Sequence, residues 1–150
     1  KDVKDVVDFA MSEYGKLDIM FNNAGIIPGI SNPSIMDTSK AEFEEVIGVN
    51  LIGPFLGTKH AARVMVPAHQ GSIITTASVS AILGGAGPYP YTTSKHGVLG
   101  LLRNAAVELG RHGIRVNCIS PYVIPTPLTK KVLNVEKDEE FDVKFFSNIK

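Results

Sequence analysis

The chain has 150 residues, with 15 basic and 15 acidic side chains, so its formal net charge is zero. This balance argues against a nucleic-acid or membrane-surface protein, because such proteins usually present an excess of positive charge. Hydrophobic residues form 44% of the sequence, which is enough for a folded core, and the single cysteine, Cys118, excludes an internal disulfide. No apolar run approaches the roughly 18–20 residues that a membrane-spanning helix needs.

Three segments carry the periodicity of amphipathic helices. Apolar residues recur every three or four positions over Asp2–Tyr14, which predicts the first helix. The second is predicted to begin at the capping-box sequence of residues 39–42 and to continue to about Met65, with a bend at Pro54. The third covers residues 91–111.

Short apolar or β-branched runs between these helices predict three buried strands, at residues 17–22, 72–77 and 114–120. Strands that alternate with long helices are typical of an α/β fold with a doubly wound parallel sheet. Ligands in such sheets bind beyond the carboxyl ends of the strands. The corresponding segments here are 22–25, 77–80 and 121–126.

Tyr91 and Lys95 lie four residues apart in the third predicted helix, so their side chains share one helix face. A free phenol titrates near ~10, and an adjacent ammonium group stabilises the phenolate, which predicts a lowered pKa for Tyr91. Ser78, thirteen residues before Tyr91, is placed to hydrogen-bond a substrate oxygen. Two alternatives stay open: Ser80 could take the place of Ser78, and the Tyr-Lys pair could be an ordinary surface pair.

Five sequence elements together resemble the short-chain dehydrogenase/reductase family, in its order and at its usual spacings. They are Asn22-Asn23-Ala24-Gly25 after the first strand, Asn50 in the next helix, Ser78, Tyr91-x-x-x-Lys95, and Pro121-x-x-x-x-Thr126, where Tyr122 replaces the family's common glycine. The stretches KHAARVM (59–65) and HGIRVNCISP (112–121) further resemble a plant branch containing xanthoxin, secoisolariciresinol and momilactone-type dehydrogenases. The resemblance covers about residues 3–128.

The resemblance implies a role for each matching residue. Tyr91 would be the general acid/base, and Lys95 would lower its pKa and hold the nicotinamide ribose. Ser78 would orient the substrate oxygen, and Asn50 would bend its helix and anchor a water of the proton relay. The residues expected along the cofactor are Asn23, Ala24, Gly25, Tyr91, Lys95, Pro121, Ile124 and Thr126. No metal site is expected, because the four histidines share no metal-ligand spacing.

The same resemblance implies an NAD-dependent enzyme, with NADP not excluded, that interconverts a secondary alcohol and a ketone. The substrate would be an apolar terpenoid-, lignan- or steroid-like molecule, with Ile82, Leu83 and Val123 lining its pocket. The expected partner is a second copy of the chain, in a homodimer or homotetramer formed through the helices at 41–68 and 91–111. Gly97 and Gly100 would allow close helix packing there. No nucleic-acid or membrane partner is expected, and the expected location is cytoplasmic.

The 150 residues are expected to form a single, incomplete Rossmann-fold domain, in which residues 128–150 form a mobile helical lid over the substrate. The chain begins with Lys1, and the glycine-rich turn that normally binds the cofactor pyrophosphate does not precede Asn22. We therefore expect a piece of a longer enzyme. The alternative is a truncated, inactive fragment or gene model that acts at most as a binding or dimerising module.

Overall fold

The computed structural model describes residues 2–28, 34–138 and 140. Its elements in chain order are α1 (Asp2–Tyr14), β1 (Ile19–Asn22), α2 (Lys40–Ile47), a π-helical turn (Gly48–Ile52), α3 (Gly53–Ala68), β2 (Gly71–Thr76), a 3-10 turn (Val79–Ala81), α4 (Tyr89–Gly110), β3 (Ile114–Ile119) and α5 (Pro127–Leu133). The three predicted strands and the three predicted helical segments are therefore present, with ends that differ from the prediction by at most three residues.

The three strands form one parallel sheet in the order β1-β2-β3. Asn22 of β1 pairs with Thr75 of β2, and Thr75 in turn pairs with Cys118 of β3. This register brings the carboxyl ends of all three strands to the same edge of the sheet. The predicted Rossmann-like α/β fold is confirmed, and its candidate site lies at that edge.

The core lies between the sheet and the two helices α3 and α4. Met65 of α3 and Leu109 of α4 pack around Ile73, the buried centre of β2. Gly71 leaves room for this packing, because a Cβ there would lie 2.4 Å from the Met65 sulfur and the Met65 side chain would have to shift. A second cluster joins Ala77 and Val98 near the carboxyl edge, so the first turns of α4 are fixed against the end of β2.

The opposite face of the sheet is exposed at several large apolar side chains. Ile19 and Phe21 of β1 are 60% and 50% exposed, and Ile119 of β3 is 49% exposed. Because side chains alternate along a strand, these residues lie on the other side of the sheet from Met20 and Ile73. The described residues thus cover mainly one face of the sheet.

The segment between β1 and β2 differs from the single bent helix that the sequence predicts. It begins as predicted, since the Ser39 hydroxyl accepts a hydrogen bond from the Glu42 amide at 3.1 Å. The interruption is then the π-helical turn Gly48–Ile52, and Pro54 occupies the first turn of α3. A proline is tolerated in a first turn because its missing N–H is not needed there. The turn directs Asn50 into the interior, where it is fully buried.

The structure changes the expectations for Gly97, for Gly100 and for the helix predicted over residues 128–150. Gly97 does allow close packing, but within this chain, because a Cβ there would meet the Leu51 side chain at 2.8 Å. A Cβ at Gly100 would meet nothing within 4 Å. Within the described residues, the helix predicted over residues 128–150 is present as α5 (Pro127–Leu133), Asn134 interrupts it with a left-handed φ of 52°, and Asp138 and Glu140 are again helical. Residues 141–150 of the predicted lid lie outside the described residues.

Candidate active site

A cavity of about 590 Å³ opens at the carboxyl edge of the sheet. Each strand contributes to it through the loop that follows, and α4 contributes its first two turns. The lining residues are Asn23, Ala24, Gly25, Ile27, Thr76, Ala77, Ser78, Tyr91, Lys95, Ile119, Pro121, Tyr122, Ile124, Thr126, Leu128 and Thr129. Of the predicted catalytic and cofactor-binding residues, only Asn50 is not part of this lining.

Tyr91 and Ser78 meet inside this cavity. Burial raises the pKa of the Tyr91 phenol above its ordinary value, and a side-chain hydrogen bond with Ser78 partly opposes that rise. Ser80 has a different environment: its hydroxyl faces the Ala86 carbonyl at 3.4 Å, and its amide donates to the Ser78 hydroxyl at 3.1 Å. The geometry therefore favours Ser78 over Ser80 as the partner of Tyr91.

Lys95 lies over the Tyr91 ring, with its Nζ 5.5 Å from the ring centroid. The ammonium group donates a hydrogen bond to the Thr76 carbonyl at 2.7 Å, and the residue is only 4% exposed. Burial lowers the pKa of Lys95 to about 8. The pair is thus not an ordinary surface pair of a solvated helix.

The predicted lowering of the Tyr91 pKa is not found in this arrangement, because the net shift is upward. The loss of solvent around the phenol is the larger effect, and it disfavours the charged phenolate. The ammonium hydrogen-bonds to the carbonyl of Thr76, at the end of β2. Sequence spacing identified the two neighbours but could not give the depth at which they are buried.

Asn50 holds the loop after β1 against the π-helical turn. Its Oδ1 accepts a hydrogen bond from the Ile26 amide at 2.8 Å, and its Nδ2 donates to the Ile26 carbonyl at 2.8 Å and to the Ser94 hydroxyl at 3.3 Å. The residue four positions later is Pro54, which has no N–H to offer to the Asn50 carbonyl. The side chain of Asn50 is thus committed to structure, and its backbone carbonyl cannot accept the α-helical hydrogen bond from position 54.

The cofactor-binding residues expected from the resemblance lie together on the cavity wall. The Asn23 Oδ1 accepts a hydrogen bond from the Thr76 hydroxyl at 2.7 Å, which fixes the amide at the rim. Gly25 lies between two site residues, because a Cβ there would be 3.5 Å from the Asn50 Oδ1 and 3.9 Å from the Lys95 Nζ. The ammonium and amide groups fit the hydroxyl-rich nicotinamide riboside end of a dinucleotide.

The apolar part of the cavity differs from the prediction. Its apolar lining includes Ile27, Ile119 and Leu128. Ile82 and Leu83 are 68% and 51% exposed, because the 3-10 turn ends at Ala81 and carries them away from the cavity. Val123 is likewise not one of the lining residues, whereas its neighbours Tyr122 and Ile124 are.

Sequence reasoning missed Ile26, Thr76 and Ser94, whose polar groups hold the site residues in place. The Ile26 and Thr76 contacts to Asn50 and Lys95 use backbone atoms, for which a sequence gives no signal. The Ser94 position did carry a signal, since it is one residue before Lys95 and three after Tyr91 on the same helix.

Residues 2–28, 34–138 and 140 contain no group of three or more His, Cys, Asp or Glu side chains arranged to hold a metal ion. None of the helices described is long and apolar enough to cross a membrane.

Comparison with known proteins gives consistent matches over nearly the whole chain. Residues 1–145 match a family described as enoyl-(acyl carrier protein) reductase. The chain is 55% identical over 150 residues to secoisolariciresinol dehydrogenase of Forsythia intermedia, covering 99% of this chain and 54% of that protein. It is 50% identical over 139 residues to xanthoxin dehydrogenase of Arabidopsis thaliana, covering 93% of this chain and 48% of that protein.

Solved structures show the same architecture. A levodione reductase structure superposes with a TM-score of 0.82 at 39% identity, covering 95% of this chain and 54% of that chain. The NADPH-bound Y152F variant of ElxO also gives a TM-score of 0.82, at 29% identity, covering 95% of this chain and 57% of that chain. The chain spans about half the length of the curated relatives it matches. With the family match over residues 1–145 and relatives at 50–55% identity, the chain belongs to the short-chain dehydrogenase/reductase family.

Proposed function

We propose that the complete protein carrying this chain is a nicotinamide-dependent oxidoreductase that interconverts a secondary alcohol and a ketone. The observation that carries the proposal is the buried arrangement of Ser78, Tyr91 and Lys95 around one cavity at the carboxyl edge of the sheet. A hydroxyl, a phenol and a buried ammonium group are the parts needed to hold a carbonyl or alcohol oxygen and move one proton to or from it.

The proton-transfer step belongs to Tyr91. Because its pKa is raised, the phenol is protonated at neutral pH and can donate a proton to a ketone oxygen held by Ser78. In the direction of alcohol oxidation the phenol must first lose its proton, and Asn50 would anchor a water molecule of the proton relay, as the family resemblance implies. A bound nicotinamide supplies or accepts the hydride, and the protein supplies alignment and proton transfer.

The nicotinamide end of the cofactor would be held by groups already present on the cavity wall. Lys95 would donate to the ribose hydroxyls, and Asn23 and Gly25 would lie along the cofactor. Pro121, Ile124 and Thr126, in the loop after β3, would contact the carboxamide. We propose NAD rather than NADP, on the resemblance to the plant dehydrogenases, and both must be assayed because a structural neighbour is described with NADPH bound.

The substrate class follows from the apolar wall. Ile27, Ile119 and Leu128 face the same cavity as the polar triad, so one side of a bound molecule would contact hydrocarbon. Relatives named for secoisolariciresinol, borneol and xanthoxin are 50–55% identical to this chain. We therefore propose a terpenoid-, lignan- or steroid-like alcohol as substrate, with residues 128–150 as the lid.

Self-association is the second part of the proposal. A cavity of about 350 Å³ between α3 and α4 combines the apolar Phe55 and Leu101 with Lys59 and Glu108 of opposite charge. The Thr58 hydroxyl at this cavity is buried without a hydrogen-bond partner. A homodimer or homotetramer through these two helices would cover the cavity, and sedimentation of the chain tests it. A cytoplasmic location stays a prediction from the sequence.

A second candidate function is a binding or dimerising module without catalysis. The exposed apolar face at Ile19, Phe21 and Ile119 favours it, because such a face is covered in a complete parallel sheet. If so, the 150-residue chain should bind NAD poorly in calorimetry, and tight binding would contradict this reading of the isolated chain.

A panel of apolar alcohols and ketones, assayed with NAD and NADP, tests the enzyme proposal in the complete protein. Oxidation of cyclic secondary alcohols is the expected result. The proposal is refuted if folded, cofactor-loaded protein turns over no alcohol or ketone of the panel.

A further inference from the structure

Ser94 joins two of the candidate site residues through one buried hydroxyl. The residue is fully buried in α4, and its Oγ donates a hydrogen bond to the Tyr91 carbonyl at 2.6 Å. The same oxygen accepts a hydrogen bond from the Asn50 Nδ2 at 3.3 Å. A hydroxyl can donate and accept at once, so serine connects these two groups where alanine could not.

The contact with Asn50 extends the connection to a third segment. Asn50 uses its remaining amide hydrogen and its carbonyl oxygen on the backbone of Ile26, both at 2.8 Å. The loop after β1, the π-helical turn and the first turn of α4 are thus held by one continuous set of hydrogen bonds. Each of these segments carries or adjoins a residue of the candidate site.

We propose that Ser94 is a positioning residue, which fixes the Asn50 amide and thereby sets the π-helical turn relative to the backbone of Tyr91. Its effect on turnover rests on the proposed function, whereas its effect on Asn50 does not. A hydroxyl bonded to a carbonyl three residues earlier is common in helices and would by itself mean only local helix structure. The bond from Asn50, which belongs to another element, is what gives Ser94 a role at the site.

The direct test measures the Asn50 side-chain amide in the 150-residue chain by NMR hydrogen exchange. Ser94→Ala should speed exchange of the Asn50 amide hydrogens by about tenfold or more, because one of them loses its buried acceptor. The matched control is Ser72→Ala, another buried serine, which lies at the opposite end of β2 and should leave that exchange unchanged. Unchanged Asn50 exchange in a folded Ser94→Ala chain would overturn the proposal.

A kinetic double-mutant cycle in the complete protein tests the consequence for the site. Ser94→Ala should lower kcat by about tenfold with little change in KM, since small misplacements of reacting groups are costly. In an Asn50→Ala background the same change should cost nothing further, because Ser94 acts through Asn50. Independent, additive losses would overturn the positioning role and leave Ser94 as a structural residue.

Two safeguards keep the outcomes distinct. If Ser94→Ala does not fold, Ser94→Cys replaces it, because a thiol is similar in size to a hydroxyl but a weaker donor and acceptor. Faster exchange of the Asn50 amide and a lower kcat must then appear in Ser94→Cys. If the parent protein shows no turnover, the proposed function fails, while the exchange of the Asn50 amide still decides the proposal for Ser94.

Discussion

Raising the pH from 7 to 10 should stabilise the folded chain, because Lys95 is a buried cation. Its pKa is 10.5 in an unfolded chain and about 8 in the folded one. Between these two values the unfolded chain binds the proton and the folded chain does not, so the free energy of unfolding rises with pH. Below pH 8 both states are protonated, and the folded state carries the full cost of the buried charge.

The size of this effect follows from the two pKa values. The difference between the two pKa values of Lys95 lowers the free energy of unfolding by about 3 kcal/mol at neutral pH. Raising the pH to 10 restores about 2.5 kcal/mol of this loss. Above about pH 10 the raised pKa of Tyr91 acts in the opposite direction, because the unfolded chain ionises its phenol before the folded chain does.

Urea unfolding, followed by circular dichroism at pH 7, 8, 9 and 10, measures the effect. Lys95→Met is the matched control, since it keeps the length of the side chain and removes its charge. In Lys95→Met, the free energy of unfolding should no longer rise between pH 8 and 10. The reasoning is refuted if the parent chain shows no rise, or if Lys95→Met shows the same rise as the parent chain.

Three further substitutions test the packing and capping of the elements that carry the site, all measured as free energies of unfolding. Gly57→Ala should destabilise the chain by about 1–3 kcal/mol, because its Cβ would lie within 1.9 Å of the Asn22 Oδ1; an unchanged stability would contradict this contact. Gly100→Ala, at a helix position open to space, should instead stabilise by about 0.5–1 kcal/mol, and a loss would mean that the position is covered. Ser39→Ala should cost about 1 kcal/mol through the lost bond to the Glu42 amide, and no cost would remove its role as a cap.

The sequence was sufficient for the order of the elements and for the residues that meet at the site. Apolar runs separated by long helices predicted the parallel sheet, and a parallel sheet brings the ends of its strands to one edge. The four-residue spacing paired Tyr91 with Lys95, and Ser78 was placed just after β2, thirteen residues before Tyr91. The capping box at Ser39 was equally readable, because its hydrogen bond is local in the chain.

The sequence alone could not predict features that depend on packing between segments far apart in the chain. The interruption near Pro54 was visible, but the π-helical turn depends on Asn50 reaching Ile26, 24 residues away in the chain. The direction of the Tyr91 pKa depends on burial by neighbours from other elements. Ile82 and Leu83 were predicted as pocket residues from their apolar character alone, and the end of the 3-10 turn carries them towards solvent.

The catalytic role of Tyr91 is the central claim, and the most direct test is the rate of alcohol oxidation by the complete protein carrying Tyr91→Phe. This change removes one oxygen and keeps the ring, and Tyr89→Phe, two residues earlier on the same helix and 44% exposed, is the matched control. We predict that Tyr91→Phe abolishes turnover while circular dichroism and cofactor binding stay close to those of the parent. Tyr89→Phe should keep the parent rate. Near-normal turnover by Tyr91→Phe would contradict the claim.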